Sequence, residues 1–278
     1  VSSPSASLAL WTSSWLAGVS APDDVIDAMA DWAPMHLVVA ADETTAQRTG
    51  LAWPSPRADG VASVLTAIRA QIPNPSSDAV IELLLPGPGA VENLPPGTGF
   101  SRAALTAGQA VVVGLAGTEG LAFVPTVEGP DVMRWTVFAV DVLGHYVHDF
   151  SLGEAEFAMR DAVRGAADAL GSMQSLPTRT LPTRSNEGDP RTRIANELSE
   201  LMRHRYPADI PERAMRVLES ADRVSAILSV ARTFAPTEAP TAAAAVAREE
   251  LIRPLWAAVR SARLSAVAAG IASSVPRT

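Results

Sequence analysis

The sequence predicts an α/β or α+β domain, a mixed sheet of about six strands with flanking helices, followed by an all-helical C-terminal module. Three observations predict it. Short Val-rich apolar runs alternate with amphipathic helical stripes through the first 174 residues. A stretch rich in Pro, Thr and Ser, "SLPTRTLPTRSNEGD" at 175–189, then interrupts both patterns. Everything beyond it keeps helical spacing. The expected division is a domain at 1–174, a linker at 175–189 and a helical module at 190–278.

Taken in order, Leu8, Trp11, Trp15, Leu16 and Val19 share one helical face. Pro22-Asp23-Asp24 opens a second helix, with Val25, Ile26, Met29 and Trp32 inward and acids in the first turn. "MHLVVAA" (35–41) is a short buried strand, followed by a polar loop. Asp59 is placed to cap a helix in which Val61, Val64, Leu65, Ile68 and Ile72 keep a 3.6-residue period. "AVIELLL" (79–85) and "QAVVVGLAG" (109–117) are the next strands, separated by a Pro/Gly loop and a two-turn helix. Strand-like runs at 121–127, 133–141 and 145–150 have short Gly-containing connections, which predict antiparallel meanders. Ser151 and Glu154 form a capping box before a helix carrying Leu152, Ala155, Met159, Val163 and Ala166 inward. Beyond the linker, Asp189-Pro190 and Asp209-x-x-Glu212 read as two further helix starts. An Ala-rich helix from about 242 to 273 contains Pro254, where a kink or split is expected.

Composition removes several chemistries. The chain has no cysteine, so disulfides, thiolate metal sites and cysteine nucleophiles are excluded. It has no lysine either: all 22 basic residues are arginine. Schiff-base chemistry and a Walker A loop are therefore excluded as well. No run approaches the roughly 20 apolar residues that span a bilayer. The N-terminal stretch lacks a basic n-region, so a signal peptide is not expected and the cytoplasm is. The formal net charge is −8, unevenly spread. Residues 1–188 carry 9 Arg against 20 acids and residues 189–278 carry 13 against 10, giving −11 and +3. Such a split points to different partners for each half, or to attraction between them.

The stretch "GTGFSRAALTAGQAVVVGLAG" (97–117) is the most motif-like. A nucleophile elbow needs a strand running into the serine, and Pro95-Pro96 precludes a central strand there. A dinucleotide loop needs a third glycine directly after a strand. Ser101 is better placed as the N-cap of a helix over 102–107, ended by Gly108 in the left-handed conformation. Gly97, Gly99, Ser101 and Arg102 remain candidates for holding an anion with loop and helix-start amides, with Arg134 a further candidate cation.

Asp141, His145, His148 and Asp149 lie close in sequence, but on a strand i and i+3 point to opposite faces, so no metal site is expected. His204, between two arginines at a helix end, is expected to be a solvated cation. The acids Asp23, Asp24, Asp27 and Asp31 read as a solvated face. Arg213, Arg216 and Arg223 share one helical face, and Arg253, Arg260 and Arg263 share another. Either set could hold phosphates or carboxylates of a partner. Trp11 and Trp15 are candidates for partner or dimer contact.

In "SLALWTSSWLAGVSAPDDVIDAMADWAP", "GTGFSRAALTAGQAVVVG" and "RPLWAAVRSARLSAVAA" the chain resembles uncharacterised proteins of high-GC actinobacteria. The resemblance implies a lineage and brings no activity, cofactor or catalytic residue. The leading expectation is thus a non-catalytic adaptor, chaperone-like or regulatory protein with a protein partner or a second copy of itself. No cofactor or metal is expected. A small-molecule or anion binder, or an enzyme, with its site in the 86–102 loop is the alternative. Weak nucleic-acid binding through the C-terminal arginines is disfavoured by the negative overall charge.

Overall fold

The computed structural model of the chain describes residues 3–74, 78–87, 90, 91, 94–144, 151–174, 190–233 and 242–274. The elements in chain order are α1 (Pro4–Leu16), α2 (Pro22–Ala30), β1 (Met35–Ala40), α3 (Glu43–Thr49), α4 (Gly60–Gln71), β2 (Ala79–Leu84), α5 (Gly99–Ala107), β3 (Ala110–Leu115), β4 (Glu119–Gly129), β5 (Val132–Asp141), α6 (Leu152–Gln174), α7 (Pro190–Met202), α8 (Glu212–Thr233) and α9 (Ala242–Ser274).

The mixed sheet has the order β1-β5-β4-β3-β2, with β1 parallel to β5 and every other pair antiparallel. The predicted α/β scaffold with C-terminal helices is therefore present, with five strands among the described residues where about six were expected. The expected sixth, 145–150, and with it His145, His148 and Asp149, lies outside the described residues, as does 175–189. The consecutive β3, β4 and β5 form the meander that their short Gly-containing connections predict. Strand β1 sits at one edge of the sheet. A loop covers it, with the Val38 amide donating to the Arg57 carbonyl at 2.9 Å and the Ala40 amide to that of Ala52 at 2.9 Å. Two of its outward amides are thereby paired.

Side chains alternate between two apolar layers. Val111, Val113, Leu121, Phe123, Trp135 and Val137 face the larger one, which α1 and α4 cover. Val80, Val112, Ala122, Val124 and Val140 face the smaller one under α5. The larger core continues without a break into Met159 of α6, Leu218 of α8 and Val259, Ala262 and Ala266 of α9. The helical segment thus shares its core with the sheet.

The junction is α1, whose single-face expectation needs correction. It is buried almost all round, between the sheet and α9, and Trp11 and Trp15 are its half-exposed positions. Val19 stands 58% exposed beyond its end. The cause is the small residues around α1, which let neighbours approach on every side. Leu10 packs against the bare Cα of Gly270 on α9, and the Ser13 hydroxyl donates to the Ile271 carbonyl at 3.4 Å.

Local signals account for several termini and correct others. The Ser151–Glu154 capping box forms, with the Ser151 amide donating to Glu154 Oε2 at 2.8 Å. Gly108 ends α5 at φ 66°. Ser101 is not the N-cap of α5: Thr98 is, accepting from the Ser101 amide at 3.1 Å, and the helix begins at Gly99. Asp59 makes no capping bond to α4. Asp209 does not cap α8 but accepts from the Ser274 hydroxyl at 2.6 Å, tying the 203–211 loop to the end of α9. Pro254 lies inside α9 without splitting it. Helix α3 falls where the sequence reads as polar loop; Asp42 caps it and Gly50 ends it at φ 73°. Val163, expected inward on α6, is 40% exposed.

Candidate functional site

The loop that leads into α5 closes on itself. Ser101 is buried, and its hydroxyl donates to the Pro95 carbonyl. The Ser101 amide is taken by Thr98, and Arg102 Nη1 donates to the Gly97 carbonyl at 3.0 Å. Gly97, at φ 75°, provides the turn, and Gly99 approaches the Phe138 ring. The structure therefore brings Gly97, Gly99, Ser101 and Arg102 together, with the Ser101 hydroxyl and amide and one Arg102 nitrogen engaged in holding the loop. Arg134 lies on β5, paired with Glu128.

The six arginines do not form one surface. Arg213 Nη2 reaches Glu156 of α6 at 3.2 Å, an ion pair joining the acidic and basic parts of the chain. Arg216 pairs with Glu212 one turn away at 3.5 Å. Arg263 points inward to Asp222 at 2.8 Å, and both side chains are largely buried. The Arg260 guanidinium lies flat on Gly87, 3.4 Å from the place a Cβ would occupy. Arg223 and Arg253 are exposed.

The helices behind the Asp222–Arg263 pair also enclose Tyr206, whose hydroxyl is buried without a partner among the described residues. Burial, followed by Asp222 and Glu219, pushes its pKa well above the ordinary tyrosine range.

The two described histidines are structural too. His36 accepts from Trp135 Nε1 at 3.0 Å through Nδ1, so Nε2 donates to the Met29 carbonyl at 3.0 Å. Burial lowers its pKa. His204, expected as a solvated cation, instead stacks on Trp32 with ring centroids 3.5 Å apart and planes 3° off parallel. Burial holds its pKa down at about 4, outweighing the upward pull of Asp31. One residue on, the Arg205 carbonyl accepts from Trp11 Nε1 at 3.1 Å. Trp11 and Trp32 thus dock the 203–211 loop onto α1 and α2.

Trp15 does something different. Helices α1, α2 and α4 leave between them an open, mainly apolar groove of about 330 Å³, lined by Trp15, Pro22, Ile26, Ala62, Leu65, Thr66 and Arg69. One wall is a face of α4 at i, i+3, i+4 and i+7. The other is Pro22 and Ile26, one turn apart on α2. The Thr66 hydroxyl donates to the Ala62 carbonyl at 2.9 Å, which satisfies the one hydroxyl of that wall within its own helix. Arg69 lies over the Trp15 ring, 4.3 Å from its centroid, in cation–π geometry. Asp23 and Asp27, each one residue beyond Pro22 and Ile26, are exposed and make no ion pair among the described residues.

A second groove of about 340 Å³ lies between α7 and α8, lined by Arg193, Asn196, Glu197, Glu200, Ser229 and Val230. Its walls carry both signs of charge, with Arg193, Glu197 and Glu200 among its lining residues.

Of the groove at Trp15, sequence reasoning singled out only the tryptophan as a contact. Ile26 and Leu65 read as core, while Ala62, Thr66 and Arg69 carry no signal apart from their shared face. Among the described residues, no group of three His, Cys, Asp or Glu is placed to hold a metal, and no helix is long and apolar enough to cross a membrane.

Comparison with known proteins gives matches over nearly the whole chain. Residues 5–149 match the family described as "Rv1486c-like protein, N-terminal domain", and residues 153–264 match "Rv1486c-like protein, C-terminal domain". The matches meet between residues 149 and 153, which assigns α6 to the C-terminal part. The "Uncharacterized protein Rv1486c" of Mycobacterium tuberculosis (strain ATCC 25618 / H37Rv) is 38% identical, covering 98% of this chain and 99% of that protein. The "Uncharacterized protein ML1804" of Mycobacterium leprae (strain TN) is 35% identical, with coverage of 98% and 99%. The "Uncharacterized protein MAV321" of Mycobacterium avium is 34% identical, with coverage of 96% of each. No solved structure matches.

Proposed function

Because the chain belongs to the Rv1486c-like family, whose mycobacterial relatives are named without an activity, we propose its function from its own geometry: a non-catalytic adaptor that binds another protein through the groove at Trp15. We place this activity in the cytoplasm. The observation that carries the reading is the groove itself. Its walls belong to helices anchored in the main core, so it is preformed. It also combines an aromatic wall with small lip residues, the composition that favours a desolvated anchor at an interface. Further support comes from the shifted titratable groups, which serve the fold: His36, His204 and Tyr206 are enclosed by packing, and Glu154 closes a cap. The C-terminal helices act as scaffold, because Arg213, Arg263 and the 203–211 loop hold the chain's own elements.

The test is co-purification from native lysate with the full-length chain. Truncation after α6 is unsuitable, since it would uncover Leu10 and the rest of α1. The comparison is with Ala62→Arg, which fills the groove from an exposed position. A stoichiometric protein captured by the parent and lost from the variant supports the adaptor reading. Equal capture by both chains removes the groove from it.

A further inference from the structure

We propose that the partner presents a basic amphipathic helix to this groove, with one bulky apolar side chain seated on Trp15, Ile26 and Leu65 and cationic side chains on the lip of α2. The inference rests on the groove being the partner site and deepens it by naming what the site recognises.

The first argument is the kind of backbone the groove accepts. Both long walls are α-helices, whose amides and carbonyls beyond the first turn are bonded within the helix. They offer no ladder to an extended segment. A strand entering the groove would leave its own peptide groups unpaired against an apolar floor. A helix arrives with those groups already satisfied and brings a ridge of side chains that fits between two helical walls. Ala62 and Thr66 are small, so a third helix axis can approach closely.

The second argument is charge. Asp23 and Asp27 are one turn apart on the solvent side of α2, exposed, and without an ion-pair partner among the described residues. Asp24 differs, because its carboxylate accepts from the Ala21 amide at 2.7 Å. The groove is set in the acidic part of the chain, residues 1–188 at −11. Arg69, the cation among the groove's lining residues, is held over Trp15 rather than spread along the lip. A helix with Lys or Arg beside its apolar ridge matches this arrangement, whereas one with Glu or Asp there meets like charge.

The experiment uses the full-length protein and two labelled peptides of about 18 residues, long enough for five helical turns. Both carry one Leu/Trp stripe; flanking positions are Lys and Arg in one and Glu in the other. Binding is read by fluorescence anisotropy at several salt concentrations. Circular dichroism and thermal melting establish that every variant is folded. The basic peptide is expected to bind about tenfold or more tighter than the acidic one, with affinity falling as salt rises. Asp23→Asn combined with Asp27→Asn should weaken it about fivefold or more and flatten the salt dependence. The same change at the exposed Asp131, away from the groove, should leave binding unchanged. Equal affinity for both peptides, or indifference to the Asp23/Asp27 pair, overturns the basic-helix proposal.

The two levels fail differently. Basic-peptide binding that survives Ala62→Arg removes the groove as the binding site, and the proposal falls with the adaptor reading. Loss of a co-purifying protein in Ala62→Arg, without any effect of the aspartate variants, keeps the adaptor reading and discards the basic helix. Self-association of the protein alone that is abolished by Ala62→Arg assigns the groove to a second copy and overturns the proposal.

Discussion

Gly270→Val should destabilise the protein by about 1–3 kcal/mol, because it overpacks the seam between α1 and α9. A Cβ at position 270 would lie 2.7 Å from Cδ2 of Leu10, with Ile210 Cγ1 3.7 Å away. An ordinary carbon–carbon contact is about 3.5–4.0 Å, so Leu10 or the helix must retreat by roughly an ångström. Leu10 is only 2% exposed, so any retreat presses on its packed neighbours. Replacing glycine inside a helix returns no more than about 1 kcal/mol of propensity, less for a β-branched residue, and this does not offset the clash. The expected fall in melting temperature is about 2–4 °C per kcal/mol for a chain of this size. Leu10→Ala alone should cost about 2–5 kcal/mol through its cavity. The double variant should be less destabilised than the sum by about 1 kcal/mol or more, since valine fills space that leucine vacates. Urea denaturation followed by circular dichroism measures all four corners of the cycle. Strict additivity would refute the reasoning, because it would mean that α1 and α9 do not meet at this point.

Gly120→Ala should be costlier than most core substitutions, about 3 kcal/mol or more, since its Cβ would sit 2.5 Å from the Val113 carbonyl oxygen and 2.6 Å from Val142 Cγ2. Val142→Ala in the same chain should recover only part of the loss, as measured by urea denaturation, because the backbone clash remains. Asp222→Ala should destabilise by about 3–5 kcal/mol by leaving Arg263 buried without its carboxylate; a loss below about 1 kcal/mol in calorimetry would contradict the buried pair. Stability should also fall as pH drops from the unfolded histidine value of 6.5 towards about 4, because folded His204 binds fewer protons than the unfolded chain there, and His36 acts in the same direction. Its contribution is fully present above 6.5 and, discounted for partial solvent exposure, amounts to roughly 1–2 kcal/mol. His204→Phe should reduce the pH dependence between about pH 6.5 and 5; an unchanged slope would remove His204 as its source.

The strands were legible because each is a short Val-rich run between turn residues, and β3, β4 and β5 pair as their Gly-containing connections imply. The helices α4, α6, α7, α8 and α9 were legible from apolar spacing or start signals. Helix α3, "ETTAQRT", was not, because it has no apolar stripe; Asp42 and Gly50 at its ends were the available signal. Helix α1 misleads for the opposite reason. A helix packed on several sides by small residues does not show one apolar face, and Trp11 and Trp15 are its half-exposed positions, one docking the 203–211 loop and the other lining the groove. His204 looked like a surface cation because Arg203 and Arg205 flank it, whereas the loop turns its ring onto Trp32, 172 positions earlier in the chain. The groove was illegible for the same physical reason. Its walls come from residues 15, 22–26 and 62–69, which only the packing of three helices brings together.

The most direct test of partner binding at Trp15 is site-specific cross-linking in native lysate. A photoreactive amino acid is placed at Thr66, on the groove wall, or at Thr106, an exposed position on α5 behind the opposite face of the sheet. A single discrete protein adduct from position 66 and none from position 106 is the predicted result. The same adducts from both positions, or none from position 66 in a folded chain, would contradict it.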